Sequence, residues 1–170
     1  MKSSWRVFGT AVSLVACFLA TLSALAASPA TPDSWESAAQ RWSQAIERHR
    51  AHGTGRELGE ALARRAEAYQ ALGHRQRALA DLEEAARLVG EGDDIQLSAA
   101  VLGALGQAYF LAGKMERAEP LLAEALARAR RANATGIAAA VLNDQGILLA
   151  AAGRTADALA AYRSSVSNAR

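Results

Sequence analysis

Gly73, Gly113 and Gly153 stand forty residues apart, and the columns around them keep the same step. Ala38, Ala78, Ala118 and Ala158 form one column; Trp42, Leu82, Leu122 and Tyr162 form another; Ala45, Ala85 and Ala125 form a third that Ser165 closes. Upstream of each glycine, Leu62, Leu102 and Leu142 align, followed by Ala66, Gly106 and Gly146, and then by Tyr69, Tyr109 and Leu149. Self-similarity at a fixed period restricts the chain to one supersecondary unit repeated in a stack, each copy burying its apolar face on its neighbours.

Within a unit, Leu62, Ala66 and Tyr69, and again Ala78, Leu82 and Ala85, follow the three-to-four spacing of one helical face. The glycine between the two faces ends the first helix in a left-handed conformation. No proline occurs between Pro32 and Pro120, the segment is rich in Ala, Leu, Arg and Glu, and alternating strand patterns are absent. The pattern predicts an all-α fold, a right-handed α-solenoid of antiparallel helix pairs with about seven helices. Residues 33–52 align with second helices only and form a half repeat; full repeats follow over 53–92, 93–132 and 133–170. Asp33 or Ser34 is the expected N-cap of the first helix, with Glu36 in its first turn. Leu62, Tyr69, Leu82, Leu102, Tyr109, Leu122, Leu142 and Leu149 are expected in the core, with Trp35 and Trp42 packed on the first full pair.

The N-terminus has different chemistry. Lys2 and Arg6 precede an apolar run over 7–27, and Ala24, Leu25 and Ala26 supply the small residues a signal peptidase requires. We therefore expect a signal peptide over 1–26 and a linker over 27–32, placing the product in the periplasm or outside a bacterial cell. Two other fates of the segment are a retained membrane anchor and lipidation at Cys17, which follows Leu14, Val15 and Ala16 in a lipobox-like order. The membrane is a partner only in those two cases. Cys17 is the sole cysteine, so residues 27–170 contain neither a disulfide nor a thiolate. Lys2 and Arg6 apart, seventeen Lys and Arg face seventeen Asp and Glu. A neutral domain lacks the basic excess that phosphate contacts need, so nucleic acid is not an expected partner.

Leucine, small residue, tyrosine, glycine, alanine, large apolar residue and alanine, in that order, resemble the tetratricopeptide repeat. Tyr69 to Gly73 (Tyr-Gln-Ala-Leu-Gly) and Tyr109 to Gly113 (Tyr-Phe-Leu-Ala-Gly) carry the resemblance best. The family's common unit has about 34 residues, so this chain is similar to the long-repeat variant of kinesin light chains and bacterial arrays. The resemblance implies a concave groove lined by first helices that holds a protein or peptide. Subtracting the packing columns leaves Arg64, Glu67, Gln70, Gln107, Phe110, Asn143, Asp144 and Ile147 as the groove residues. Phe110 and Ile147 make one part of the groove apolar, and the polar members have no evident packing role. Only Arg64 and Asn143 answer to the basic and amide residues of the family's carboxylate clamps.

Catalytic and metal motifs are not found in the sequence. His49 and His52 stand three apart near Arg48, Arg50 and Arg56, which would oppose a cation. Arg128, Arg130 and Arg131 fall in the last turn of a second helix, where cations complement the dipole, and Asn133, Ala134 and Thr135 read as a helix-capping link. No cofactor, no metal and no enzymatic activity are expected. The reading is an exported adaptor that binds a partner protein. The alternatives are the recognition segment of a larger exported, protease-like enzyme and a lipid-tethered envelope assembly factor. The last repeat, with no capping helix after it, is an expected site of homodimerisation.

Overall fold

The computed structural model describes residues 32–90 and 94–168. The expected signal segment, Cys17 and most of the linker lie outside the described residues. Seven helices follow in order: α1 (Pro32–His52), α2 (Gly55–Ala71), α3 (Arg75–Val89), α4 (Ile95–Leu111), α5 (Met115–Arg131), α6 (Thr135–Ala151) and α7 (Thr155–Asn168). No strand occurs among the described residues. The first helices α2, α4 and α6 begin at 55, 95 and 135, and the second helices α3, α5 and α7 at 75, 115 and 155, so the sequence period is the structural period. Each helix packs on the next, and α4 also touches α6. No described helix is long and apolar enough to cross a membrane.

Gly73, Gly113 and Gly153 sit at φ of 77°, 74° and 77°. The amides that follow close the helix ends: His74 N donates to the Tyr69 carbonyl, Lys114 N to Tyr109 and Arg154 N to Leu149. Asn133 makes the same turn between repeats at φ 52°, with Ala134 N donating to the Ala129 carbonyl. Its role is therefore a left-handed C-terminal turn. The residues beyond the common 34 lengthen the helices, most of which reach 17 residues.

Helix starts use different devices. Thr54 caps α2 in a reciprocal box: Glu57 N donates to Thr54 Oγ1 at 3.2 Å and Thr54 N donates to Glu57 Oε2 at 2.8 Å. Asp94 caps α4 by accepting from Leu97 N at 2.8 Å. The first helix departs from expectation, because α1 begins at Pro32 and not after a cap at Asp33 or Ser34. Proline is suited to a first turn, where its missing N–H has no intrahelical partner to lose.

Two apolar clusters form the core. One gathers Ile46, Leu62, Ala85 and Val101 around α1 to α4, with Trp42 packed against it. The larger runs from Ala66 and Leu82 through Leu105, Leu122 and Leu126 to Leu148. Of the eight expected core residues, Leu62, Leu82, Tyr109, Leu122 and Leu142 are buried. Tyr69, Leu102 and Leu149 are only half-buried, as are Trp35 and Trp42. Tyr69 lies under two arginines, and both it and Leu102 lie at the rim of the larger cluster. The cost of about 2–5 kcal/mol for truncating a core leucine therefore belongs to Leu62 or Leu122, not to Leu102.

Candidate binding face

All eight expected groove residues lie on first helices: Arg64, Glu67 and Gln70 on α2, Gln107 and Phe110 on α4, and Asn143, Asp144 and Ile147 on α6. The structure brings some of them together. Arg64 Nη1 approaches Glu67 Oε2 at 3.6 Å, one helical turn away. Gln107 Nε2 donates to Asp144 Oδ1 at 3.2 Å, joining α4 to α6. No hydrogen bond among the described residues links the α2 trio to the other five.

The Gln107–Asp144 contact alters the reading of both residues. Gln107 is 7% exposed and Asp144 4%, so their polarity does have a packing role, as a buried pair pinning adjacent repeats. Their side chains are sequestered from the open face. Asp144 Oδ2 has no partner, and burial pushes the carboxyl up to about 7 against the opposing bond from Gln107. Glu67 is raised in the same direction, chiefly by burial, with Arg64 opposing.

The remaining members keep surface. Arg64, Glu67, Gln70, Phe110, Asn143 and Ile147 are half-buried, and Leu111 beside Phe110 is exposed. Phe110 also packs against the larger core cluster, so its ring is divided between core and surface. Gln70 Nε2 is buried without a hydrogen-bond partner. The face thus combines apolar edges from α4 and α6 with amides and one close ion pair from α2.

Sequence reasoning missed the best-built polar cluster. Arg65 donates twice to Asp81, both bonds at 2.8 Å, and once to Ser43 Oγ at 3.2 Å, tying α2 to α3 and α1. Arg64 and Arg65 are adjacent, and only their different angles around the helix decide which turns inward. Tyr109 Oη donates to Glu83 Oε1 at 2.5 Å, and Arg117 donates weakly to the same hydroxyl at 3.4 Å. The bond to Glu83, then burial, raises the Tyr109 hydroxyl above its usual range. A forty-residue step between Tyr69 and Tyr109 could have led to this cluster, had their charged neighbours been compared too.

The other marked residues take modest roles. His49 Nδ1 lies 3.9 Å from Glu57, and no group of three or more metal-ligating side chains occurs among the described residues. Arg128 pairs with Glu124 and donates to the Gly90 carbonyl and Ser98 Oγ, so it braces the link between α3 and α4. Arg130 and Arg131 remain exposed at the end of α5.

Antiparallel helix pairs at a fixed forty-residue step, closed by glycine turns and stacked each on the next, define a tetratricopeptide-type α-solenoid. Residues 97–170 match the tetratricopeptide repeat family model. The fold is similar to that of BtubC (BKLC) from P. vanneervenii, with a TM-score of 0.70 at 20% sequence identity. That alignment covers 79% of this chain and 56% of BtubC, so the chain spans little more than half of its structural neighbour. No curated protein matches the sequence.

Proposed function

We propose that the chain is a non-catalytic scaffold that holds a helix or extended segment of a partner protein against α2, α4 and α6. Tetratricopeptide repeats generally mediate protein–protein interaction, and their solenoid is typically non-catalytic. The observation that carries the reading is the open apolar edge of Phe110, Leu111 and Ile147 on α4 and α6, which share the first-helix set with the half-buried amides of Asn143 and Gln70. Apolar anchors beside amide side chains suit a segment that buries alternate side chains while its polar groups bond to the rim. Arg64, Glu67, Gln107 and Asp144 take the supporting part, the first two at the polar end and the last two as the seam beneath.

Export belongs to the same proposal and rests on residues 1–26 alone, which places the partner in the periplasm or outside the cell. The test is a photo-crosslinking amino acid placed at Ile147 or Gln70, and at exposed Ala127 on α5 as a control, in cells producing the full chain. A common protein captured from the first two positions and absent from the third is the expected result. Equal capture from all three positions, or none from any, refutes the face.

A further inference from the structure

The seams between successive helix pairs offer an internal comparison. At the second seam, Tyr109 on α4 meets Glu83 on α3, with Arg117 and Lys114 over the ring at 5.4 and 5.7 Å. Forty residues earlier, Tyr69 on α2 has Arg77 in the place of Arg117 and His74 in the place of Lys114. Arg77 lies 5.7 Å over the Tyr69 ring, and the His74 ring meets it edge-on at 6.0 Å. The position of Glu83, however, is taken by Ser43 on α1. At the third seam both members change together, to Leu149 and Ala123. A tyrosine with its carboxylate, or neither, is the rule elsewhere; the first seam keeps the tyrosine and its cations and lacks the acid.

The missing side chain leaves space. A cleft of about 420 Å³ opens there, lined by Ser43, Gln40 and Gln44 of α1 and by Tyr69, His74 and Arg77. Ser43 cannot substitute for the acid, since its hydroxyl donates to the Ala39 carbonyl at 2.8 Å and accepts from Arg65. We propose that this cleft binds an acidic side chain of a partner protein, which takes the place that Glu83 occupies on Tyr109.

The surrounding charges fix the expected selectivity. Arg77 and His74 are exposed, make no ion pair among the described residues, and line the cleft as its donors. Arg65 also lies over the ring at 5.6 Å but is neutralised by Asp81, and Glu84 is engaged with Arg50. Glu36, exposed on the rim, is the one lining carboxylate and opposes an acidic guest. The cleft shares no residue with the first-helix face above, so either site can fail without the other.

The test titrates the full chain with an acetylated, amidated hexaglutamate and with hexaglutamine of the same form, followed by NMR shifts and calorimetry. Hexaglutamate should bind and move the signals of Tyr69, His74 and Ser43, while hexaglutamine should not. Arg77→Gln should weaken binding about two- to fivefold, and Glu36→Gln should strengthen it by a similar factor, the range an exposed charge pair supports. Ser43→Glu rebuilds the second seam within the first and should abolish binding in a folded protein, whereas Tyr109→Phe should leave it unchanged. Equal affinity for the two peptides, absence of shifts at the cleft, or undiminished binding by the Ser43→Glu protein overturns the proposal.

Discussion

The ring of Tyr162 on α7 occupies the space that any side chain on Gly146 of α6 would need: a Cβ there would fall 2.5 Å from the ring. Gly106 has the same relation to Leu122, at 2.9 Å. Gly136, on the same helix as Gly146, has nothing within 4 Å. Alanine at Gly146 gains about 1 kcal/mol in helix propensity but must displace a rigid ring in the seam, which costs about 1–3 kcal/mol. We predict that Gly146→Ala destabilises the chain by up to about 2 kcal/mol, whereas Gly136→Ala is neutral or stabilising. Denaturant titration of the two variants decides it; equal midpoints would show that the close approach is not needed.

Arg65 and Asp81 form the most sheltered ion pair, with Asp81 only 6% exposed. Their two-pronged contact also pulls the Arg65 guanidinium above its usual range, first through the bonds to Asp81. Removing one partner strands the other, so Arg65→Ala should cost about 3–5 kcal/mol. The double variant Arg65→Met with Asp81→Leu should recover most of that loss. A single-variant cost below about 1 kcal/mol, the level of a surface pair, would show that the pair is solvated.

Asp144 predicts an unusual pH dependence. Its carboxyl is raised from 3.8 to about 7 in the folded chain, so the folded state binds a proton that the unfolded state releases. The associated stability is complete below about pH 4 and lost as pH rises through 7. That rise corresponds to at most about 4 kcal/mol. Glu67 acts in the same direction, whereas Asp94 and Glu57 are lowered, mainly by bonds to backbone amides, and act only in the acid range. Between pH 5 and 8 wild-type stability should therefore fall and that of Asp144→Asn should fall much less. Parallel curves for the two proteins would place the titration elsewhere.

The last helix pair should open first. In α7 only Ala158 is fully buried, while Leu159 is 51% and Val166 58% exposed. Tyr162, in the column of Trp42, Leu82 and Leu122, packs inward on Gly146. In a solenoid each pair is held by its own packing and by what it buries on its neighbours, and α7 buries one residue. Amides from Ala156 onward should exchange fastest in dilute protein, and a second copy covering Leu159 and Val166 would slow them as concentration rises. Uniform protection across all seven helices in a monomer would refute the fraying.

The sequence by itself determined the period, the helix pairs and the glycine turns, because these follow from local conformational freedom and from which residues recur on one helical face. It also nominated the faces available to a partner, since residues left over from packing columns can be counted. It did not separate Gln107 and Asp144 from that face, because their burial depends on how closely α4 approaches α6. Nor could it choose Arg65 over Arg64 as the inward cation, or reveal that Ser43 leaves Tyr69 without the acid that Tyr109 has. Those outcomes depend on the separation and rotation of helices across a seam. Periodicity sets which side chains share a face, but tertiary packing alone sets how near two faces come, and hydrogen bonds, ion pairs and buried charge are decided within that last few ångströms.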